Sequence, residues 1–173
     1  IGDYAFQNCT KLKKITISSN VKSIGEDSFY GCSELKSILL PDSIETIGTR
    51  AFAYSGLMNV AIPDSTKTVG ESAFIKCEAL TMVSIGKNVE SIGSSAFYKC
   101  INLENISVQS VKEIGSNAFA STGLTNIILP DNVESIGDYA FYDTKLKNIT
   151  IPDSVKYIGE RAFWGLKSLT DIK

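Results

Sequence analysis

The sequence contains no histidine, only four prolines and four cysteines, and no large excess of either charge. Histidine is the most common general base and transition-metal ligand, so its absence removes the Ser-His and Cys-His nucleophile pairs and the usual metal sites together. The formal net charge is -2, and no cluster of Lys and Arg is dense enough for phosphate binding. The composition therefore argues against most enzymes and against a nucleic-acid partner.

Long hydrophobic runs are also missing. No apolar stretch approaches the roughly 20 residues that a membrane-spanning helix needs, and no charged-then-apolar leader opens the chain, so we expect no membrane insertion by this segment. The chain begins without Met and inside a repeat, and we interpret it as a fragment of a longer protein. Because 43% of the residues are hydrophobic, we expect one folded domain with a continuous core, residues 1–173.

What the sequence has in abundance is repetition. The dipeptide Ile-Gly, once Val-Gly, recurs every 22 or 23 residues, and each unit has a Phe four residues after its Gly. A unit of this length cannot bury its own apolar residues, whereas stacked copies share one core. The spacing therefore predicts about eight coils in which eight Phe side chains form one interior column: Phe6, Phe29, Phe52, Phe74, Phe97, Phe119, Phe141 and Phe163.

Each unit contains the same order of local signals. Apolar and polar residues alternate in segments such as "LKKITI" and "LENISV", which predicts a strand, and "PDS" or "PDN" follows as a turn in four units. A second short strand, such as "VESIG", leads to the Gly, and "SSAFYKC" then predicts a short helical turn. We expect the Leu-x-x-Ile segments to form a single parallel sheet.

The repeated pattern L-x-x-I-x-I-P-x-x-V-x-x-I-G-x-x-A-F-x-x-C-x-x-L resembles the BspA-like leucine-rich repeats over the entire chain. The resemblance implies a leucine-rich-repeat solenoid, a right-handed stack of coils with a parallel sheet on its concave face. It also implies a surface-displayed or secreted protein, often an adhesin for host proteins. The chain departs from the pattern in turns: Ser18, Gly86 and Gln109 replace the Pro, and the turn after Val108 is one residue short.

Two columns of residues could carry chemistry. One position of the repeat favours small buried residues and is occupied by Cys9, Cys32, Cys77 and Cys100. Disulfides between neighbouring coils are the alternative interpretation. A zinc site would need cysteines that are closer together in the sequence. The Asp residues after Pro could suggest calcium, but Asp is favoured in such turns by its own backbone hydrogen bond. The Asp column comprises Asp42, Asp64, Asp131 and Asp153.

A third column alternates strictly in charge. Parallel strands lie about 4.8 Å apart, so alternating signs attract one another across the stack, and we interpret the column as an exposed ladder of ion pairs rather than a ligand-binding stripe. Its members are Lys22, Glu45, Lys67, Glu90, Lys112, Glu134 and Lys156.

The outward positions of the Leu-x-x-Ile segments, here called the Leu-x-x-Ile face, are small, amide-bearing or apolar, and nearly free of charge. Asn side chains could simply hydrogen bond to one another along the stack there. The functional interpretation is that an extended neutral face, with exposed Leu39, Met82 and Ile128, receives a protein or a glycan. The predicted binding residues are Leu39, Asn59, Met82, Ser84, Asn105, Ser107, Asn126, Ile128, Asn148 and Thr150.

These observations predict a non-catalytic protein-binding module of a cell-surface or secreted protein, which adheres to a protein or glycan on a host or extracellular surface. The alternative is a structural spacer that projects another domain from the cell surface. An enzyme without His would need a carboxylate pair or an activated Lys in a cleft, and uniform coils offer no obvious cleft. We expect no cofactor and no metal ion, and the sequence predicts no oligomeric state.

Overall fold

The computed structural model describes all 173 residues and consists of short strands, turns and bends stacked in coils. It contains no helix with the length and apolar character needed to cross a membrane. We number the coils 1 to 8 by their Phe residues, from Phe6 to Phe163. The strands are β1 (Ser23–Ile24), β2 (Thr46–Ile47), β3 (Asn59–Ala61), β4 (Thr68–Val69), β5 (Met82–Ser84), β6 (Ser91–Ile92), β7 (Asn105–Ser107), β8 (Glu113–Ile114), β9 (Ser135–Ile136), β10 (Asn148–Ile149), β11 (Tyr157–Ile158) and β12 (Asp171–Ile172).

Seven of these strands form one parallel sheet, in the order β1-β2-β4-β6-β8-β9-β11. Each comes from the segment before the Gly, so that the same position pairs from coil to coil: Ile47 with Val69, and Val69 with Ile92. The apolar residue before the Gly is buried in coils 2 to 7, and the residue before it faces outward. We call this the Ile-Gly sheet; it makes the protein a parallel solenoid, as the repeat predicted.

The Leu-x-x-Ile segments pair only in part, so the prediction that they form a single sheet is wrong. β3, β5 and β7 form a three-stranded parallel sheet and β10 pairs with β12, whereas coils 1, 2 and 6 contribute no strand on this face. The inward residues of coil 6, Ile127 and Leu129, are nevertheless buried. The alternation of apolar and polar residues therefore predicts correctly which side chains of this segment are buried. It does not predict that the segment forms hydrogen bonds with the strands beside it.

The eight Phe side chains form one continuous interior stack, which confirms that prediction. Neighbouring ring centroids lie 5.2 to 5.6 Å apart, and neighbouring ring planes lie within 17° of parallel. Six of these rings, from Phe29 to Phe141, belong to a single cluster of 39 buried hydrophobic residues that extends from Ile24 to Ala162, and the two terminal rings pack against it. Each coil adds one layer to this core, so its stability depends on its neighbours.

The segment around each Phe is not a helical turn, which corrects the sequence prediction. In coil 5 the N–H of Ala96 bonds three residues back within its own coil. The N–H groups of Ser95 and Phe97, however, donate to the carbonyls of Ser116 and Ala118 in coil 6, both at 2.8 Å. In a helix every N–H would bond within its own segment, so alternate donation to the next coil requires a different backbone.

In that backbone, two residues of every coil lie in the left-handed region. The first is the second residue after the Gly, and the other is the second residue after the Phe. The non-glycine members have φ between 50° and 59°, which no α-helix contains. The first set is Tyr4, Asp27, Arg50, Ser72, Ser95, Asn117, Tyr139 and Arg161, and the second is Asn8, Gly31, Tyr54, Lys76, Lys99, Ser121, Asp143 and Gly165.

The Gly column is explained by close approach between coils rather than by an unusual φ. A Cβ atom on Gly115 would lie 2.5 Å from the backbone nitrogen of Ser94, and one on Gly93 would lie 2.7 Å from that of Glu71. Real Cβ atoms essentially never approach other atoms so closely, so a side chain here would push neighbouring coils apart. The repeat therefore keeps Gly where the coils touch through their backbones.

Candidate interaction surface

All ten residues predicted to bind a partner are exposed on the Leu-x-x-Ile face. The alternation that produces this is simple: Val60 and Val83 face the core and are buried, while their neighbours Asn59 and Met82 face outward. Exposure makes these positions accessible to a partner. Whether they bind one stays a prediction.

Coils 3 to 5 form a continuous part of this face, because β3, β5 and β7 are paired in register. Asn59 lies beside Met82, which lies beside Asn105, and a second row comprises Ala61, Ser84 and Ser107. The Met82 side chain is 57% exposed, the largest apolar group of this part. Leu39 is 83% exposed on coil 2, one coil away from these strands.

A cleft of about 320 Å³ separates coils 5 and 6 on the same face. No backbone hydrogen bond joins β7 to the following segment, residues 126–129, whose N–H and C=O groups have no backbone partner at all. The interruption follows the turn that is one residue shorter than its counterparts. Ile106 and Val108 are consequently only half-buried, whereas the equivalent Val83 and Ile85 are buried.

A second cleft, of about 350 Å³, separates coils 6 and 7. Ile128 lines both clefts and is 78% exposed, so it forms an apolar ridge between two depressions. Six of the ten predicted residues line one or both clefts: Asn105, Ser107, Asn126, Ile128, Asn148 and Thr150. The sequence indicated the residues but not the clefts, because only the short turn hinted at a break between coils.

The charged column is exposed, as predicted, but it forms three separate ion pairs rather than a continuous ladder. Lys67 pairs with neither of its neighbours. The carboxylate of Glu90 has a lowered pKa, chiefly because Lys112 donates a hydrogen bond to it, and Lys67 contributes only at longer range. The pairs are Lys22–Glu45 at 3.0 Å, Glu90–Lys112 at 2.9 Å and Glu134–Lys156 at 2.7 Å.

The four cysteines are free thiols in this structure. Cys32, Cys77 and Cys100 are fully buried, and each donates its S–H to the carbonyl of a Phe in the preceding coils, at 3.0 to 3.2 Å. Burial raises the pKa of Cys32 and of Cys77 to about 11. Cys9 on coil 1 is exposed. The structural interpretation of this column is confirmed for the three buried members, and no disulfide links the coils.

The four Asp residues of this column lie in turns, but only Asp64 has side-chain partners, and these are in the next coil rather than in its own turn. Asp64 accepts a hydrogen bond from the backbone N–H of Lys87 and forms an ion pair with its Nζ, both at 2.9 Å. Those two hydrogen bonds lower the pKa of the Asp64 carboxyl. Nowhere in the chain do three or more His, Cys, Asp or Glu side chains converge in an arrangement that could hold a metal ion.

Sequence reasoning missed two sets of contacts on the turns around the Phe residues. Asp27 and Arg50, which occupy the same position in adjacent coils, form an ion pair that the 23-residue spacing could have revealed. The second set consists of aromatic contacts. Lys76 Nζ lies 5.1 Å from the ring centre of Tyr54, and the rings of Tyr142 and Trp164 stack with their centres 5.2 Å apart. The aromatic contacts depend on side-chain direction, which the spacing does not give.

The sequence model of the BspA type leucine rich repeat region, in six copies, matches residues 1–122 and 112–173. The chain belongs to this family. Among solved structures, this BspA type repeat protein is similar to a leucine-rich repeat protein from Bacteroides ovatus, with 31% identity and a TM-score of 0.68. The alignment covers 99% of this chain and 57% of that protein, so this chain spans little more than half the length of that protein.

Two further structures resemble these BspA type repeats. The leucine-rich repeat protein of T. pallidum is 27% identical, with a TM-score of 0.72, and the alignment covers 98% of this chain and 71% of that one. A leucine rich cell surface protein from Faecalibacterium prausnitzii is 31% identical, with a TM-score of 0.52, over 75% of this chain and 42% of that one. No curated protein matches the chain.

Proposed function

We propose that this chain is a non-catalytic adhesion module of a cell-surface or secreted protein, and that it binds a protein on a host or extracellular surface through its Leu-x-x-Ile face. The observation that carries the proposal is the arrangement of coils 5 to 7. There the exposed Ile128 lies between two clefts lined by neutral side chains and by backbone groups without partners in the chain.

The chemistry of this part of the face suits a polypeptide. Protein interfaces are organised around apolar anchors in partly enclosed sites, surrounded by groups that exclude water, and their cores are depleted of charge. Ile128 and Met82 supply exposed apolar side chains, and the amides of Asn105 and Asn126 supply neutral donors and acceptors. The unpaired backbone groups of residues 126–129 can hydrogen bond to side chains or to an extended segment of a partner.

The family supports surface display and a binding role. BspA type leucine-rich repeats suggest protein-interaction modules, and the relative from Faecalibacterium prausnitzii is described as a cell surface protein. Repeat solenoids commonly use an extended face for recognition, because stacking leaves one surface of every coil free. Leucine-rich-repeat proteins are generally not catalysts, which agrees with a binding role.

A spacer role is the second candidate, and the continuity of the core supports it. The uninterrupted Phe stack and the seven-stranded Ile-Gly sheet make a stiff rod that could hold another domain away from a surface. A spacer needs no exposed apolar ridge, however. The two roles therefore differ in whether Ile128 and the residues around it contribute to binding.

The test compares two double variants on an array of purified extracellular matrix proteins. Ser107→Asp/Ile128→Asp places charges at the first cleft, and Thr46→Asp/Thr68→Asp places charges on two neighbouring exposed positions of the Ile-Gly sheet. We expect the first variant to lose at least tenfold in affinity for any protein that the parent chain binds, with its Tm nearly unchanged, and the second to bind normally. Equal loss in both variants would contradict the assignment of the face. A parent chain that binds nothing on the array would favour the spacer.

A further inference from the structure

A groove of about 490 Å³ runs across coils 5 to 8 on the turns between Phe and Leu, away from the Leu-x-x-Ile face. Its origin is visible in the sequence. Phe97 and Leu103 of coil 5 are six residues apart, as are the equivalent residues of coil 8, whereas the same turns of coils 6 and 7 are one residue shorter. Two consecutive short coils between longer ones leave a notch, which we call the turn groove.

The turn groove is lined mainly by polar side chains, with a single hydrophobic residue among its ten. Asp143, Lys145 and Lys167 line it, and none of their charges forms an ion pair within the chain. The hydroxyl groups of Ser121 and Ser168 also line it without a hydrogen-bond partner from the chain. The groove thus offers hydroxyls, one carboxylate and two ammonium groups, all free to bind a ligand.

An aromatic pair lies next to the groove wall at Gly165, although neither ring lines the groove itself. The rings of Tyr142 and Trp164 stack at 5.2 Å with planes 14° apart, and Trp164 is 56% exposed. The Tyr142 ring lies 3.3 Å from the point that a Cβ on Gly165 would occupy, and Gly165 lines the groove. Arg161 lies 5.5 Å from the Trp164 ring centre, so the exposed part of this aromatic pair, beside the polar groove, is the surface that a ligand with C–H groups and hydroxyl groups would contact.

We infer that the turn groove binds a short oligosaccharide that carries a carboxylate. Sugar hydroxyls both donate and accept hydrogen bonds, so they match the Ser121 hydroxyl and the Asp143 carboxylate. The unpaired ammonium groups of Lys145 and Lys167 match a carboxylate through charge-assisted hydrogen bonds. A protein partner would need an apolar anchor site, which a groove with one hydrophobic lining residue does not provide.

This site is separate from the Leu-x-x-Ile face, so it can be tested independently of the proposed adhesion. Trp164 is the only tryptophan of the chain and directly precedes Gly165, which lines the groove, so a change in its fluorescence indicates a ligand bound close to this groove. The probes are sialyllactose and a galacturonic acid trisaccharide, with lactose as the neutral comparison. Binding is measured by calorimetry, and its location by Trp164 emission.

The decisive variant is Lys145→Met, with Lys147→Met as its matched control. Both lysines are exposed on coil 7, both lack an ion pair, and only Lys145 lines the turn groove. We expect the acidic saccharides to bind with a Kd below about 1 mM, to change Trp164 emission, and to bind at least tenfold more weakly to Lys145→Met and at high salt. The Lys147→Met variant and the Ser107→Asp/Ile128→Asp variant should bind them normally.

Three results would overturn the inference. The first is the absence of calorimetric binding by either acidic saccharide up to about 10 mM. The second is equal weakening in Lys145→Met and Lys147→Met, which would indicate a general effect of charge. The third is lactose binding as tightly as sialyllactose, which would remove the role given to the carboxylate. Loss of protein binding in the Leu-x-x-Ile variant bears on the adhesion proposal alone.

Discussion

Asp27 on coil 2 and Arg50 on coil 3 form a two-bond ion pair: Arg50 Nε lies 2.9 Å from Asp27 Oδ1, and Nη2 lies 2.6 Å from Oδ2. The Asp27 side chain is only 4% exposed, whereas that of Arg50 is 43% exposed. The hydrogen bonds to Asp27 raise the pKa of Arg50 further above its ordinary value. A nearly buried carboxylate therefore depends on one partly exposed guanidinium.

Removal of that partner is expected to destabilise coils 2 and 3. Arg50→Met should lower the Tm by roughly 5 °C, because the charge of Asp27 remains buried without a partner. The double variant Asp27→Asn/Arg50→Met should recover part of this loss, since it removes the buried charge as well. Thermal unfolding monitored by circular dichroism measures both. An Arg50→Met variant that melts with the parent chain would contradict the dependence of Asp27 on Arg50.

The parts of the structure that the sequence predicted are those determined by burial. Phe97 stacks between Phe74 and Phe119 because the repeat returns the same apolar residue to the same place in every coil. The exposure of Met82 and Ile128 follows from the same alternation. Periodicity reports which side chains are inside, and that information was sufficient for the solenoid, its core and the residues of the Leu-x-x-Ile face.

The parts that the sequence did not predict depend on backbone hydrogen bonds. Many of the left-handed residues, such as Ser95 and Lys99, are of types for which positive φ is uncommon, and Gly, Asn or Asp occupies these positions in only some coils, so residue type gives a weak signal. The two clefts arise where residues 126–129 pair neither with β7 nor with β10, and the turn groove arises from turns shortened by one residue. Such differences between coils amount to a single residue in the sequence of a turn or to unpaired backbone groups, although they create both clefts and the turn groove.

The cysteine column predicts a large difference in thiol reactivity. At pH 8, a thiol reagent should modify Cys9 quickly in the native chain, while Cys32, Cys77 and Cys100 should react only on unfolding. Burial blocks access to these three, and their raised pKa leaves little thiolate. Mass spectrometry of the labelled protein identifies the modified residues. Rapid native labelling of Cys77 would show that coils 3 and 4 open readily.

The charged column predicts a salt-dependent response to charge reversal. Glu90→Lys would remove the pair with Lys112 and place three positive charges on successive coils, since Lys67 lies on the other side. We expect the Tm to fall by about 1 to 3 °C at low salt and by less at 1 M salt, because these side chains are exposed. The control is Glu104→Lys, an exposed residue without an ion pair. A large loss that salt does not reduce would mean that the column is not solvated.

The left-handed turns predict opposite effects of the same substitution at two adjacent serines. Ser95 has φ of 57° and its side chain makes no hydrogen bond, whereas Ser94 is exposed and has no positive φ. Ser95→Gly should stabilise the chain by about 0.5 to 1 kcal/mol, because relief of the left-handed strain exceeds the entropy cost of Gly. Ser94→Gly should destabilise it by about 0.5 kcal/mol, since only the entropy cost remains.

A substitution by Val at the same two positions tests whether the left-handed backbone causes this difference. Ser95→Val should destabilise by about 1 to 2 kcal/mol, because a β-branched residue fits the left-handed region poorly, and Ser94→Val should have a much smaller effect. Urea unfolding of the four variants and the parent chain gives all the free energies on one scale. The Ser95 N–H must keep its 2.8 Å bond to Ser116 of coil 6, so any relaxation of φ would break contact between coils. Equal effects at Ser94 and Ser95 would mean that the left-handed backbone is not what limits the choice of residue at this position.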